Sequence, residues 1–291
     1  MEELFEAAKQ GRSLDEEELS RYVLVEREGH DHMLCSRCGL VMRAIKSGLF
    51  WREFRCNRCY FYFKKNLLKC KLKTRLPLSI LLRFLALFSL NLTNTQLSMM
   101  LGISKHTISK LILSIQFLMC DYFNSHASMI GGEGHNVQLD ESCVGKRKYN
   151  VGRVGSQKWV FGGIDTTTNN FFMTVVPNRT LQTLGPLIEA NVAVGTLIYT
   201  DCWPAHLSYF KNSEKYGFGH VNHIYNIVGS NMGAHTQCIE SLWSRFKNFK
   251  RKRGLTHYKY LQNYIDEFRF RYMGNDCDPA HVFQRLLNLL F

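Results

Sequence analysis

"HNVQLDESCVG", His135 to Gly145, is where the chain changes its period. Upstream, apolar residues recur at helical spacing. From here they come in short runs, "NVQLD", "KWVFGGID", "NFFMTVVPN" and "TLIYTD", bounded by Gly, Asn and Pro as strands ended by turns are. "TLQTLGPLIEANV" supplies a helix before the fourth run. After it, "CWPAHLSYF" reads as helical, "GHVNHIYN" offers a fifth strand, and a long final helix starts near His235.

Three strands with tight connections, a helix, another strand and then helices is the order of an RNase H-like α/β domain, a mixed sheet flanked by helices, expected over residues 134–275. Residues near the ends of neighbouring strands in such a sheet lie about 5 Å apart. Asp140 ends the apolar "VQL" and Asp201 ends "LIYT", so each has a dry strand behind it. Two carboxylates that close repel unless a cation stands between them. Glu240, in "NMGAHTQCIESLW", joins them from the final helix. There Ile239, Leu242, Phe246 and Phe249 form a stripe to dock on the sheet, while Glu240, Ser244, Lys247 and Arg251 form the adjacent one.

Carboxylate oxygens without histidine or cysteine suit Mg²⁺ or Mn²⁺. Two such ions roughly 3.5–4 Å apart activate an attacking water or 3′-hydroxyl and stabilise the departing oxygen. The acids then act as ligands and not as general acids. A chain with 24 acidic residues offers many other triples, so the residues alone leave this triad as one reading among several. Glu141 faces the opposite side of its strand from Asp140. Asp165 is expected to start a turn with Thr166 and Asn169, and Asp266 and Glu267 to pair with Arg269 and Arg271 along a helix.

Upstream of the strands, Cys35, Cys38, Cys56 and Cys59 form two CxxC pairs with 17 residues between them, enough for a hairpin that brings the pairs together. This is the pattern of a zinc ribbon, expected over 31–66 and structural because sulfur would fill all four positions of the Zn²⁺ ion, with four unrelated buried thiols as the alternative. His30 and His32 read as surface histidines. Residues 77–126 are helical in pattern and centre on "NTQLSMMLGISKHTISKLILSI". Leu97, Leu101, Ile103, Ile108 and Ile112 suit the inside of two helices joined at Gly102, with Ser104 capping the second. That is the pattern of a helix-turn-helix presenting Lys105, His106, Ser109 and Lys110 to DNA, although an ordinary helical hairpin with a solvated face shares it. The apolar "LPLSILLRFLALFSLNL" is shorter than the roughly 20 residues a bilayer requires and holds Arg83, so a buried helix is expected.

The net charge of +13 is uneven. Residues 1–31 hold ten acidic and four basic side chains and read as an acidic helix and linker (1–30), which leaves 33 of the 37 basic and 14 of the 24 acidic residues, +19, to the rest. Such an excess points to nucleic acid first and a membrane surface second, with a generic basic protein as the plain alternative. The opening "MEELFEAAKQGRSLDEEEL" is unlike a secretory leader, so secretion is not expected and the ten cysteines are expected to be reduced. The run "KNFKRKRG", Lys247 to Gly254, suits DNA contact through Lys247, Lys250 and Arg251, or nuclear import.

"DESCVGKRKYNVGR", "WVFGGID", "VVPNRT", "IYTDCW", "VNH" and "GAHTQCIESLWSRFK", in that order over about Val137 to Met273, resemble the catalytic core of Merlin transposases and their bacterial insertion-sequence relatives. The resemblance implies a DDE transposase domain in which Asp140, Asp201 and Glu240 hold the three acidic positions and His235 neighbours the active site. It also matches the zinc ribbon and helix-turn-helix ahead of that domain. Cys143 departs from it, standing where a larger or basic residue is expected. Lys146, Arg147, Lys148 and Arg153, in the turn after the first strand, are positioned to hold DNA phosphates, or form a plain solvated hairpin.

What the resemblance implies is a cut-and-paste DNA transposase. It would bind terminal inverted repeats in double-stranded DNA, cleave with two Mg²⁺ or Mn²⁺, join to target DNA, and work as a homodimer or larger assembly. A host-recruited DNA-binding protein without transposition, and a nuclease that cuts without strand transfer, are the alternatives. Nuclear location follows for a eukaryotic source, and cytoplasm or nucleoid otherwise. Residues 276–291 are left as a C-terminal tail.

Overall fold

A computed structural model describes residues 2–12, 33–48, 51–66, 70–74, 76–144, 158–200, 210, 213–220, 237–254, 258–273 and 277–291. They divide into two compact units, 1–92 with 96–111 and 278–291, and 93–95 with 112–277.

The second unit is built on strands β6 (Asn136–Val144), β7 (Lys158–Asp165), β8 (Phe171–Val176), β10 (Leu197–Thr200) and β11 (Gly217–His220), hydrogen-bonded in the order β11-β10-β6-β7-β8. The first three form an antiparallel meander, while β10 runs parallel to β6 and β11 parallel to β10. Numbered by appearance, the order is 5-4-1-2-3 with only the second strand reversed, which is the RNase H-like arrangement. A two-stranded parallel pair, β5 (Ile130–Gly131) with β9 (Val192–Ala193), lies apart from this sheet.

Alternation along β6 sorts its side chains between two cores. Val137 and Leu139 join Phe161, Phe172 and Ile198 against Leu184 and Ile188 of helix α5 (Leu181–Asn191). On the other face, Val144, Val160, Ile164 and Met173 pack against helix α6 (Gln237–Arg253) and helix α7 (Leu261–Tyr272). The α6 stripe expected from spacing, Ile239, Leu242, Phe246 and Phe249, is buried. Burial of one such side chain contributes about 1.5–3 kcal/mol, so this face outweighs the mutual repulsion of the lysines and arginines along the helix.

The β7–β8 turn forms as expected. Asp165 accepts hydrogen bonds from the Thr167 N–H (2.8 Å), the Thr168 N–H (3.3 Å) and the Thr168 hydroxyl (2.9 Å), and Asn169 takes a left-handed φ of 58°. His135 Nδ1 lies 2.8 Å from the same carboxylate. Burial would raise the Asp165 pKa, but these partners, the Thr167 N–H foremost, hold it below the ordinary range.

The expected pairs on α7 also form, Asp266 with Arg269 at 3.6 Å and Glu267 with Arg271 at 2.9 Å. Glu267 is fully buried and accepts as well from Arg253 at the end of α6 (2.5 Å) and from Gln116 (2.7 Å). Arg253 is therefore a buried anchor inside a run that reads as an exposed cationic patch.

In the first unit, β1 (Met33–Leu34), β2 (Val41–Gly48), β3 (Trp51–Arg55) and β4 (Tyr62–Asn66) form an antiparallel sheet in sequence order. Helix α1 (Glu2–Gln10) buries Leu4, Phe5, Ala7 and Ala8, and helix α2 (Leu78–Ser89) is buried along most of its length, as its apolar sequence requires. Among the described residues no helix is long and apolar enough to cross a membrane.

Two elements differ from expectation. The segment read as a C-terminal tail is helix α8 (Pro279–Leu290), which packs with α1 and α2, Phe5 and Phe283 having ring centroids 5.7 Å apart. Its start was written in the sequence: Asp278 accepts from the Ala280 N–H (2.7 Å) and Pro279 occupies the first turn, where its missing N–H costs nothing. The fifth strand spans Gly217–His220, ahead of most of "GHVNHIYN", because Gly217 and Phe218 continue the parallel ladder opposite Leu197 and Ile198.

Helices α3 (Asn94–Leu101) and α4 (Lys105–Ser125) flank the turn at Gly102, whose φ is +65°. Ser104 caps α4, its hydroxyl accepting from the Thr107 N–H at 3.1 Å. At 21 residues α4 is longer than the short helix the pattern suggested, and the unit boundary falls within it, after Leu111.

Candidate functional site

The face of the mixed sheet covered by α6 carries Asp140. Asp140 lies in the middle of β6, and Trp243 of α6 donates from Nε1 to Asp140 Oδ2 at 2.8 Å. Gln138, two residues back on the same face, accepts from the Ile239 backbone N–H at 3.0 Å. The first turn of α6 is thus tied to β6 at two points. Glu240 follows Ile239 and is exposed, as are Ser244, Lys247 and Arg251 on its stripe. A carboxylate therefore heads a line of cations on the solvent side of the helix that touches Asp140.

Arg251 also donates to Asn248. Lys250 is half-buried at the edge of this stripe, and its pKa is lowered by burial first and by the charges of Lys247 and Arg251 second. Asp201, His235, Lys146, Arg147, Lys148 and Arg153 lie outside the described residues.

Trp243, Gln138 and Gly162 escaped sequence reasoning. Trp243 follows Leu242 in the docking stripe and so counts as one more apolar residue by period. Its indole N–H, a donor that a buried face has to satisfy, was the available signal. Gly162 pairs across the ladder with Asp140, and a Cβ there would meet Trp243 Cη2 at 2.9 Å and the Phe172 carbonyl oxygen at 3.0 Å. Glycine inside the strand "FGGI" marks such a close approach.

The second site is the ribbon. The thiols of Cys35, Cys38, Cys56 and Cys59 all lie within 4.8 Å of one another, with Cys35–Cys59 and Cys38–Cys56 sulfurs 3.4 Å apart. A tetrahedron of Zn–S bonds of 2.3 Å has edges of about 3.8 Å, inside that span, so the four fit one Zn²⁺ ion. Among the described residues this is the one such group of three or more metal-ligating side chains.

The two halves of the ribbon repeat one backbone design. Gly39 N–H reaches Cys35 O (2.8 Å) as Tyr60 N–H reaches Cys56 O (3.0 Å), and Cys35 N–H reaches Leu40 O as Cys56 N–H reaches Phe61 O. Equivalent residues after each pair take left-handed φ, Gly39 at 72° and Tyr60 at 58°. The Cys59 N–H, aided by the Arg58 N–H and neighbouring thiols and opposed by burial, brings the Cys56 thiol down to about 6. A thiolate is the form that ligates zinc.

On α4, Lys105, His106, Ser109 and Lys110 are exposed while Ile108, Leu111 and Ile112 are buried, the division expected of that helix.

A sheet of this order, with one carboxylate on its first strand and another on the helix that covers it, defines the RNase H-like class. Residues 130–273 match the ISXO2-like transposase domain, in line with the resemblance to insertion-sequence transposases. Among solved structures the chain is similar to the magnesium-bound catalytic core domain of HTLV-2 integrase in its dimeric form, at 16% identity over 48% of this chain and 86% of that one, with a TM-score of 0.32. It is also similar to a chain of the simian T-cell lymphotropic virus intasome in complex with PP2A regulatory subunit B56 gamma, at 14% identity over 52% and 55% of the two chains, with a TM-score of 0.31. Comparison with curated proteins gives no match.

Proposed function

We propose that the protein is a DNA transposase that cleaves DNA at the ends of a mobile element and transfers the freed 3′-hydroxyl to target DNA, with Asp140, Asp201 and Glu240 as the ligands of two Mg²⁺ or Mn²⁺ ions. The observation that carries this reading is the docking of α6 on β6, through Trp243 to Asp140 and Ile239 to Gln138, with Glu240 beside them. Asp201 follows Thr200, the last residue of β10. β10 pairs with β6, Leu197 opposite Asn136 and Tyr199 opposite Gln138.

The donor set consists of hard oxygens, which fits these ions. When bound they supply charge stabilisation at the phosphoryl group and a more acidic attacking hydroxyl. The chain's own residues hold the carboxylates in place and, along Ser244, Lys247 and Arg251, offer a track for the phosphate backbone. The exposed face of α4 would contact the element's terminal repeats, the ribbon would hold Zn²⁺ structurally, and two ends would be held by a dimer or larger assembly. His235 would neighbour the acids, and Lys146, Arg147, Lys148 and Arg153 would steady the DNA near them.

The test is a strand-transfer assay with end-repeat DNA and Mg²⁺, run beside Asp140→Asn and Asp201→Asn. Joined products that vanish in both variants support the reading. Cleavage without joining identifies a nuclease, and binding without either identifies a recruited DNA-binding factor. Full activity of either variant refutes the triad.

A further inference from the structure

We infer that Trp243 is a positioning residue for Asp140, and that with Gln138 it sets the register of α6 along β6 and so the placement of Glu240; this rests on the metal-site reading above. Gln138 and Asp140 are two residues apart on one face of a strand, a separation of about 6.8 Å. Ile239 and Trp243 are four residues apart on α6, an axial rise of about 6 Å. The steps of helix and strand thus agree to within about 1 Å, the two hydrogen bonds of 3.0 and 2.8 Å form together in this register, and a slip by one residue on either side breaks both.

The indole N–H is a donor only, so it holds Asp140 through an accepting oxygen and restrains the rotation of the carboxyl group about its Cβ–Cγ bond. Trp243 is buried at 4% exposure, and its ring lies where a side chain at position 162 would stand. The glycine that pairs with Asp140 across the ladder is thus the space that lets the indole reach it. Partners that orient a metal ligand typically change metal affinity or activity by about 10–100-fold when removed.

The decisive variant is Trp243→Phe, which keeps an aromatic ring in the core and deletes the N–H. Three measurements are made on the full chain with end-repeat DNA: thermal unfolding, Mn²⁺ binding followed by the electron paramagnetic resonance of the free ion, and Mg²⁺-dependent strand cleavage. Mn²⁺ affinity should fall about 10–100-fold, with the Mg²⁺ concentration for half-maximal cleavage rising in step, while DNA affinity stays unchanged. Gly162→Ala should weaken Mn²⁺ binding in the Trp243 background and by less in the Trp243→Phe background, because the displaced indole is then already gone.

Wild-type Mn²⁺ affinity and Mg²⁺ dependence in Trp243→Phe overturn the positioning role while leaving the triad intact, provided Asp140→Asn abolishes both. If Asp140→Asn leaves Mn²⁺ binding unchanged, the metal-site reading itself is wrong. Should Trp243→Phe unfold, Gln138→Leu, which removes the other tie, serves in its place and is expected to weaken Mn²⁺ binding in the same way.

Discussion

Replacing Glu267 by Gln should destabilise the second unit by about 3–5 kcal/mol, the usual cost of stripping one partner from a buried ion cluster. Glu267 is fully buried and faces two guanidinium groups, Arg253 at 2.5 Å and Arg271 at 2.9 Å, with Gln116 at 2.7 Å. A glutamine keeps one acceptor oxygen but turns an NH₂ donor toward groups that are themselves donors, and the two cations lose the charge between them. Burial foremost, with the charge of Arg253, already brings Arg271 down to about 10 even with Glu267 in place. For a unit of this size 1 kcal/mol shifts the midpoint by about 2–4 °C, so a loss of about 6–20 °C is expected by calorimetry.

The pH dependence follows from the same cluster. Burial would raise the Glu267 pKa, but Arg253 and Arg271 outweigh it and the folded-state pKa lies below the ordinary value of 4.5. Its contribution is therefore complete above that value and lost as pH falls through the folded pKa, so Glu267→Gln should flatten the acid limb of the stability curve. Asp266 next door is the control. Burial raises its pKa, so its charged form is already disfavoured, and Asp266→Asn, which keeps an acceptor for Gln262, should cost clearly less than Glu267→Gln. Equal losses at 266 and 267 would falsify the account of the cluster.

Three further outcomes are expected. Removal of Zn²⁺ by a chelator should unfold the ribbon, seen as loss of dispersion in its amide resonances, and Tyr60→Gly should stabilise the zinc-bound ribbon by up to about 1 kcal/mol because its φ of 58° favours glycine; destabilisation would mean that the stacking of Arg55 on Tyr60 outweighs backbone strain. Asp278→Ala should cost about 1 kcal/mol through the lost cap of α8, measured by denaturant unfolding, and no change would show that the Pro279 start suffices alone. Lys110→Ala should lower the slope of log affinity for end-repeat DNA against log salt by about 1, whereas an unaltered slope would remove Lys110 from the DNA contacts.

Much of the site was legible because local chemistry dictates it. Two CxxC pairs close a tetrahedron wherever a hairpin joins them, and Gly102 with Ser104 ends one helix and caps the next by backbone geometry alone. The strands around Asp140 and the apolar stripe of α6 follow from periods of two and 3.6, which any water-facing chain has to obey. The tail that is really α8 was missed although Asp278 and Pro279 announce it, because a short apolar run beside a terminus has no partner in sequence.

The sequence by itself determined the strand period around Asp140, the apolar stripe of α6 and the spacing of the two CxxC pairs. Only the tertiary structure decided that Trp243 donates to Asp140, that Gly162 makes room for its ring, and that Arg253, one cation in a run of them, turns inward to Glu267. The reason is physical: hydrophobic period is non-directional and needs only burial, whereas a hydrogen bond or ion pair between residues 103 or 14 positions apart exists only after packing has brought two directional groups within about 3 Å.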